Sequence, residues 1–374
     1  MKFKFSMVLL TILLFVTLLG HGFLAWQSRK DETPEFFLGV NAAYDNLEEI
    51  KDLVEEVSSY TNLFLVGSTG ISHNKTKLFE ICQFLYDRGL YFIIYDENPR
   101  HLHLLEEVER RWGDRFLGLQ YEDELGGEQL DRQEYRPVEN AENNSDAANQ
   151  FVRRVNGYLN YHYQGLAPSD FPLYTSDYAL YWFDYQAGYD AVFAEFGWNY
   201  SRKLNIALCR GAATVQDKEW GAIITWTYNH PPYLESGPEL YQDLILAYEN
   251  GAKYAVVFDT NHGYTHGTLQ QEHLDALKQF WQYTKDHPRN SQHEEQRVAY
   301  VLPKDYGYGF RGPKDKIWGL WEADECSDKL CVDLNNLIQK YNTSLDIIHN
   351  GGLKLNSTTY SKYVFWNGTT YIPY

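Results

Sequence analysis

The sequence predicts an α/β fold, a closed (β/α)8 TIM barrel followed by a small C-terminal βαβ/hairpin subdomain, on three observations. Eight apolar, strand-like runs recur between residues 36 and 287. Amphipathic segments with helical periodicity separate these runs. The stretch spans about 250 residues, which is the length that eight strand–helix units occupy. A doubly wound open sheet, which uses the same alternation, is the alternative.

The eight predicted strands are continuous apolar runs that end in polar residues. This pattern is typical of parallel strands that are covered on both faces. The strands are Phe36–Val40, Leu63–Gly67, Leu90–Tyr95, Phe116–Tyr121, Pro172–Ser176, Ala191–Phe196, Trp220–Trp226 and Ala252–Phe258.

The segments between the strands differ in length and regularity. Asn46 and Glu49 are placed as a helix-capping pair after the first strand. The unit between the fifth and sixth strands is thin, because only Leu180–Asp190 separates them. Leu125–Asn149, after the fourth strand, is acidic and amide-rich, and we expect an irregular lid or cleft wall there.

We expect three parts along the chain. Residues 1–30 form a signal peptide or transmembrane anchor, residues 31–290 the barrel, and residues 291–374 an accessory subdomain. The predicted elements of the subdomain are the strand Val298–Leu302, the helix Leu334–Tyr341, the strand Leu345–His349 and the hairpin strands Tyr363–Trp366 and Thr369–Ile372.

The N-terminal segment sets the expected location of the protein. Lys2 and Lys4 precede an apolar run from Phe5 to Leu19 that continues to Trp26, the pattern of a secretory signal or of an uncleaved anchor. An anchor is favoured, because no small-residue cleavage site follows and Trp is typical of membrane interfaces. We therefore expect a domain outside the cell, either attached to the membrane through this segment or secreted.

Sequons and cysteines are consistent with export. Asn-x-Ser/Thr sequons, the acceptor sites for N-glycosylation, occur at Asn74, Asn143, Asn199, Asn342, Asn356 and Asn367. Cys326 and Cys331 lie in a polar stretch and could form a disulfide in an oxidising compartment. Cys82 and Cys209 lie in helical patterns and are expected to be buried.

The charge balance excludes one class of partner. The chain has 33 Lys and Arg against 51 Asp and Glu, a formal net charge of −18. A surface of this sign repels phosphate backbones, so we expect no nucleic-acid partner. Aromatic residues make up 16% of the chain, and Tyr and Trp carry both an apolar ring face and a polar group.

Carboxylates at strand ends are the candidate catalytic groups. In Tyr121-Glu122-Asp123-Glu124, strand alternation places Glu122 and Glu124 on one face and Asp123 on the other. Two close carboxylates raise the pKa of one of them, as acid–base catalysis requires. Glu195 is the next candidate, because an isolated Glu in an apolar strand is costly to bury. A solvated acidic loop at Glu122–Glu124 and a structural ion pair of Glu195 with an Arg are the alternatives.

Other polar and aromatic residues at the strand ends are candidates for substrate binding. Rings at a barrel mouth can stack on sugar faces, although ordinary helix-to-barrel packing would also explain part of them. The candidates are Asp96, Asp177, Trp198, Trp226, Tyr228, Asn229 and Asp259.

The Tyr121–Glu124 and Ile223–Tyr228 strand ends, with the order of elements, resemble the glycoside hydrolases of the TIM-barrel type over roughly residues 34–290. The resemblance implies an enzyme that cleaves glycosidic bonds of an oligo- or polysaccharide with paired carboxylates. No metal or organic cofactor is expected. Pairing strand four with strand six resembles the α-galactosidase arrangement. Glu124 or Glu122 is then the expected general acid and Glu195 the second carboxylate.

Two other functions remain open at this stage. A non-catalytic glycan-binding or cell-surface scaffold protein could use the same barrel, because one barrel hosts many functions. A metal-dependent hydrolase is the third reading. His101, His103, His262 and Asp259 resemble the ligands of metal-dependent amidohydrolases, although the His pair follows the third strand and starts a helix, which does not suit the ligand geometry.

Overall fold

The structure is a computed structural model that describes residues 33–97, 102–161, 171–289, 297–351 and 359–373. Eight parallel strands close into a barrel in chain order, because β1 pairs with β2 on one side and with β8 on the other. The predicted (β/α)8 barrel is confirmed, and the open sheet is excluded. The predicted signal or anchor, residues 1–30, lies outside the described residues.

All eight predicted strands are present, with ends that shift by at most two residues. They are buried over almost their whole length, because helices cover the outer face and side chains fill the interior. The strands are β1 (Phe37–Ala42), β2 (Leu63–Val66), β3 (Tyr91–Asp96), β4 (Phe116–Tyr121), β5 (Leu173–Asp177), β6 (Ala191–Phe196), β7 (Glu219–Ile224) and β8 (Tyr254–Asp259).

Helices connect the strands. Asn46 caps the first helix as predicted, since its side chain accepts a hydrogen bond from the Glu49 backbone N–H. The helices are α1 (Leu47–Val57), α2 (Thr69–Ser72), α3 (Lys75–Asp87), α4 (Leu102–Trp112), α5 (Leu125–Asp131), α6 (Asn144–Tyr161), α7 (Tyr181–Ala187), α8 (Arg202–Val215), α9 (Gly237–Glu249) and α10 (Gln271–Asp286). Among the helices in the described ranges, none is both long and apolar enough to span a bilayer.

The expectation of an irregular segment after β4 is wrong at both of its ends. Residues 125–131 form α5, and α6 begins at residue 144. The loop between the two helices is held by the fully buried side chain of Gln129, which bonds both the backbone N–H and the backbone C=O of Val138 and the carbonyl of Trp318. One buried amide therefore gives a fixed shape to a stretch whose composition suggests mobility.

Aromatic rings fill the barrel interior and close it. Phe37 stacks on Tyr254 with centroids 5.3 Å apart, and Tyr174 stacks on Phe193 at 5.8 Å. Tyr174 and Tyr254 also meet edge to face at 5.5 Å. These residues belong to the core cluster, which extends to Ile223. The barrel is thus a packed core, and function must lie at the open ends of its strands.

The C-terminal part forms a second sheet with the strand order β10-β9-β11-β12. Its elements are β9 (Arg297–Leu302), α11 (Glu325–Tyr341), β10 (Leu345–His349), β11 (Tyr360–Phe365) and β12 (Thr370–Tyr371). The parallel pair β9–β10 joined by α11 confirms the predicted βαβ unit, and the antiparallel pair β11–β12 confirms the hairpin. The helix begins nine residues before the predicted start at Leu334, at Glu325.

The suggested disulfide between Cys326 and Cys331 is not formed, and both thiols are free. Both residues lie on α11, where five positions correspond to a rotation of about 140° around the helix axis. Their side chains therefore point in different directions and cannot meet. Cys82 and Cys209 are buried, as predicted.

Five of the six sequons lie in described parts of the chain, and Asn356 does not. The asparagines at the five sites, Asn74, Asn143, Asn199, Asn342 and Asn367, are all exposed. A glycan attached at these positions would therefore extend into solvent. Glycosylation itself stays a prediction.

A buried ion-pair cluster joins the second sheet to the barrel. Asp346 on β10 is fully buried and accepts hydrogen bonds from Arg210 of α8 at 2.7 Å and from Arg297 of β9 at 2.9 Å. Tyr360 donates a third hydrogen bond to Asp346, at 2.9 Å. Next to Arg210, Gly211 packs so tightly that an added Cβ would lie 2.5 Å from the Ile347 carbonyl oxygen. The sheet and the barrel thus share a common interior.

We expect Asp346→Asn to lower the free energy of unfolding by about 3–5 kcal/mol, because it leaves the buried guanidinium of Arg210 and the partly buried guanidinium of Arg297 without their carboxylate. Chemical denaturation measures this loss. Glu322→Gln is the control, since it removes only the exposed partner of Lys316 and should change stability by less than about 1 kcal/mol. Equal effects of the two substitutions would contradict a structural role for the cluster.

Candidate active site

The carboxyl ends of the barrel strands surround a cavity of about 610 Å3. Carboxylates and rings dominate its lining, as the strand-end sequences predict. The carboxylates are Asp45, Glu97, Asp123, Glu124 and Glu195, and the rings are Tyr95, Tyr178, Trp198, Tyr200, Trp226, Phe258 and Tyr264.

The chain turns sharply after β4, and this turn decides which acidic side chains reach the cavity. Glu122 and Glu124 both adopt left-handed backbone conformations, with φ of 52° and 54°. The turn is fixed to β5, because Thr175 donates to the Glu122 carbonyl at 2.9 Å and the Glu124 N–H donates to the Ser176 carbonyl at 2.8 Å. The predicted strand alternation is therefore wrong here.

As a result, Asp123 and Glu124 line the cavity, whereas Glu122 does not. The Glu122 carboxylate instead accepts a hydrogen bond from the Tyr121 hydroxyl. Burial raises the pKa of Glu122, and the Tyr121 hydrogen bond lowers it. The placement of Glu122 in the catalytic pair is therefore not supported by its position.

Glu124 and Glu195 come together at the cavity floor. Their side chains share a hydrogen bond in which the Glu195 carboxyl donates and the Glu124 carboxylate accepts. Glu195 lies on β6 and is 5% exposed. Burial raises its pKa well above the usual range, and the charges of Glu124, Asp177 and Asp123 raise it further. Within the pair, the proton is therefore held preferentially by Glu195.

The structure contains no sign of the alternative role for Glu195. None of the described Lys, Arg or His side chains forms an ion pair with it. Burial also raises the pKa of Glu124, while its hydrogen bond from Glu195 and the positive charge of Arg132 lower it. The two carboxyls thus lie in different environments, and this difference separates their pKa values.

Asp177, predicted to bind substrate, lies behind the cavity and positions Glu124. It is fully buried, and its carboxylate accepts four backbone hydrogen bonds of 2.6–3.0 Å. The donors are Gly126, Gly127, Tyr178 and Ala179. The two glycines open α5, which begins directly after Glu124. Burial raises the pKa of Asp177 to about 7, against the lowering by the N–H donors.

Asp123 lines the cavity, although strand alternation predicts it on the opposite face from Glu122 and Glu124. Its side chain is open to the cavity. The cavity walls limit its hydration, and this desolvation, with the charges of Glu124 and Glu122, raises its pKa to about 7. It was part of the Tyr-Glu-Asp-Glu signal, but only the local left-handed turn reveals its orientation.

Two of the predicted aromatic residues line the cavity. Trp198 is 38% exposed, and Trp226 is fixed by a hydrogen bond from its Nε1 to the Thr260 carbonyl. Tyr178 and Tyr200 add a stacked pair with centroids 5.5 Å apart. The site thus offers flat apolar rings in the same cavity as its carboxylates.

The remaining predicted binding residues do not line the cavity. Asp96 is buried and bonded to His73 at 2.9 Å, and Asp259 is buried and accepts backbone hydrogen bonds from the loop after β8. Tyr228 and Asn229 are exposed outside the lining. A carboxylate that fixes a loop can end a strand in the same sequence context as one that binds a ligand.

Two buried amides in the lining have unused hydrogen-bonding capacity. Asn41 and Gln120 line the cavity, are each 3% exposed, and have side-chain oxygens without a hydrogen-bond partner. Buried polar atoms of this kind are normally satisfied, so they indicate a place where a polar ligand belongs. In the described part of the chain, no group of three or more His, Cys, Asp or Glu side chains is arranged to hold a metal ion.

Comparisons with known proteins establish no family for the chain. No protein-family profile and no curated protein sequence matches it. Among solved structures, it is similar to a mannanase from Bacillus subtilis, with 10% identity and a TM-score of 0.41 over 64% of this chain and 84% of that chain. It is also similar to a sialic acid synthetase from Leptospira borgpetersenii, with 8% identity and a TM-score of 0.40 over 70% and 88% of the two chains.

A third structure, the spore coat polysaccharide biosynthesis protein SpsE from Bacillus subtilis, has 10% identity and a TM-score of 0.38 over 71% of this chain and 73% of that chain. These proteins have different activities, and likenesses this remote do not choose among them. Any statement about function must come from the site itself.

The proton on Glu195 predicts a pH-dependent stability. Because its pKa is higher in the folded than in the unfolded protein, its contribution is fully present below the usual pKa of glutamate and is lost as the pH rises through the raised value. Glu195→Gln removes this loss. We expect the variant to gain thermal stability relative to the wild type as the pH rises above the usual pKa of glutamate, measured as Tm across pH.

Glu48→Gln, at an exposed position on α1, is the control for this prediction. It should follow the wild-type curve. If Glu195→Gln and the wild type lose stability in parallel between acidic and alkaline pH, the Glu195 carboxyl is not held in its protonated form by the fold.

Proposed function

We propose that the protein is a glycoside hydrolase that acts outside the cytoplasm and cleaves glycosidic bonds of an oligo- or polysaccharide. The observation that carries the proposal is the Glu124–Glu195 pair, which shares one proton at the floor of a cavity walled by aromatic rings. Glycoside hydrolysis requires one protonated and one ionised carboxyl group, together with surfaces that hold a sugar ring.

The protonation of the pair assigns the roles in this proposal. Glu195 keeps its proton and is the general acid, whereas Glu124 is ionised and is the nucleophile. This reverses the order expected from the sequence. The direct hydrogen bond also supports a retaining mechanism, because inverting enzymes separate their carboxyls by about 6.5–9.5 Å to admit a water molecule.

In the first step, the Glu124 carboxylate attacks the anomeric carbon while the bond to the leaving oxygen breaks. The Glu195 proton passes to that oxygen, which leaves as an alcohol. In the second step, the Glu195 carboxylate takes a proton from water, and the water oxygen displaces Glu124 from the anomeric carbon. Both glutamates return to their starting forms, so the reaction needs no further reactant.

The location is part of the same proposal. Residues 1–30 would deliver the chain to the membrane and either anchor it or be removed. The exposed asparagines of the sequons support an exported chain, because each can accept a glycan without disturbing packing. The substrate would then be a glycan at or beyond the cell surface.

Hydrolysis of ordinary oligosaccharides should require both glutamates. The first step with an activated substrate should require only Glu124. With a panel of oligosaccharides, we expect Glu124→Gln and Glu195→Gln each to lower kcat by about 10²–10⁴-fold or more. With a dinitrophenyl glycoside, whose leaving group needs no proton, Glu195→Gln should keep its first step and Glu124→Gln should not. Product release and the anomeric form of the product are measured.

Glu122→Gln is the matched control, since it changes the neighbouring carboxyl that does not line the cavity. It should retain most of the activity. Glycan binding without hydrolysis by the wild type would instead support the glycan-binding rival, and full activity of both pair variants would remove the catalytic assignment.

Asp123 should set the alkaline limit of activity. Its negative charge is one of the causes of the raised pKa of Glu195, so Asp123→Asn should lower that pKa. The general acid then loses its proton at lower pH, and we expect the alkaline limb of the kcat/KM profile to move to lower pH. An unchanged limb would show that Glu195 is not the group that titrates there.

A further inference from the structure

The cavity is acidic throughout its described lining. Five of the lining side chains are carboxylic acids, and none of the described lining residues is a Lys, Arg or His. Arg132 and Arg311, whose charges act on the lining residues Glu124 and Tyr200, are already paired: Arg132 with Glu128, and Arg311 with Asp131 and Asp315. The lining therefore has far more capacity to accept than to donate hydrogen bonds to a ligand.

Two of these carboxylates, Asp123 and Glu97, are not members of the proposed catalytic pair. The Tyr95 hydroxyl donates to Glu97 at 3.3 Å, and the charges of Asp123 and Glu97 both act on Tyr95. Tyr264, which is 54% exposed at the mouth, is also within the influence of Asp123. Asp123, Glu97, Tyr95 and Tyr264 thus form an acidic, aromatic subsite beside Glu124.

The unsatisfied amides give an independent indication of the ligand. The side-chain oxygens of Asn41 and Gln120 lack partners, and both amides belong to the same lining. Amide oxygens only accept hydrogen bonds. A ligand that satisfies this lining must therefore be rich in N–H or O–H donors.

We propose that the substrate carries a protonated amine, so that a cationic amino sugar occupies the subsite of Asp123, Glu97, Tyr95 and Tyr264. An ammonium group provides three donors and a positive charge, which complement two carboxylates and the faces of two phenol rings. Uronic, sialic and phosphorylated sugars are disfavoured, because their negative charge would meet five carboxyl groups. This inference rests on the proposed function and names its class of substrate.

The test compares monosaccharides that differ only in one group. The wild-type protein is titrated at low salt and at about pH 7, close to the pKa of Asp123, with glucosamine, galactosamine and mannosamine. The parent neutral sugars, the N-acetyl forms and glucuronic acid are titrated in the same way, with binding followed by ligand-observed NMR. We expect at least one free amine to bind about tenfold or more tightly than its neutral and N-acetylated counterparts, and added salt should weaken this preference.

Substitutions in the subsite test which residues cause the preference for the amine. Asp123→Asn and Glu97→Gln should each reduce the preference for the amine by several-fold while binding of the neutral sugar changes little. Asp52→Asn, the same chemical change at an exposed position on α1, should leave the preference intact. Loss of the preference in both subsite variants but not in the control assigns it to the subsite.

The outcomes separate this inference from the proposed function. Equal binding of amine and neutral sugars, tighter binding of glucuronic acid, or no binding of any probe overturns the amino-sugar inference, even if a neutral glycan is hydrolysed through Glu124 and Glu195. An amine preference that depends on Asp123 supports the inference, even if no glycan is cleaved and the hydrolase proposal fails.

Discussion

The hydrogen bond between Glu195 and Glu124 joins two acidic groups where bulk water is largely excluded. If both were ionised, they would repel each other across a few ångströms in a medium of low effective dielectric constant. The contact is therefore stable only while one carboxyl keeps its proton. Burial and the charges of Asp177 and Asp123 place that proton on Glu195. This distribution of the proton is the one that the proposed reaction would require.

The two members of the pair are held in different ways. Glu195 is part of β6, where it pairs in register with Ile223 of β7 above the aromatic core, so the barrel itself fixes its position. Glu124 lies in a loop, but its N–H is bonded to β5. The first turn of the helix that follows it donates backbone hydrogen bonds to the Asp177 carboxylate. Asp177 therefore acts through Glu124 and need not touch a substrate. This arrangement gives a loop residue nearly the precision of a strand residue.

The sequence predicts the barrel well, because continuous apolar runs record burial on both faces of each strand. It also identifies Glu195 as a candidate site residue, because an isolated acidic residue is costly to bury in such an apolar run. The error at Glu122 has a physical cause. Alternation holds only for extended backbone, and nothing about a glutamate signals a left-handed conformation, which is more typical of Gly and Asn. Asp96 and Asp259 show the complementary limit, because a carboxylate that fixes a loop has the same sequence context as one that binds a ligand.

Six of the twelve non-glycine residues with positive φ in the described ranges lie at the same end of the barrel as the carboxyl pair. Non-glycine residues with positive φ follow five consecutive strands, β4 to β8: Glu122, Glu124, Leu180, Trp198, Tyr233 and Tyr264. Such conformations cost about 1–3 kcal/mol each and persist only where the surrounding structure enforces them. Glu124, Trp198 and Tyr264 are also cavity-lining residues, so the strain falls on side chains that face the proposed substrate. Packing alone gives no reason for bulky residues in this conformation around one rim, whereas directing carboxylates and rings into a shared cavity does.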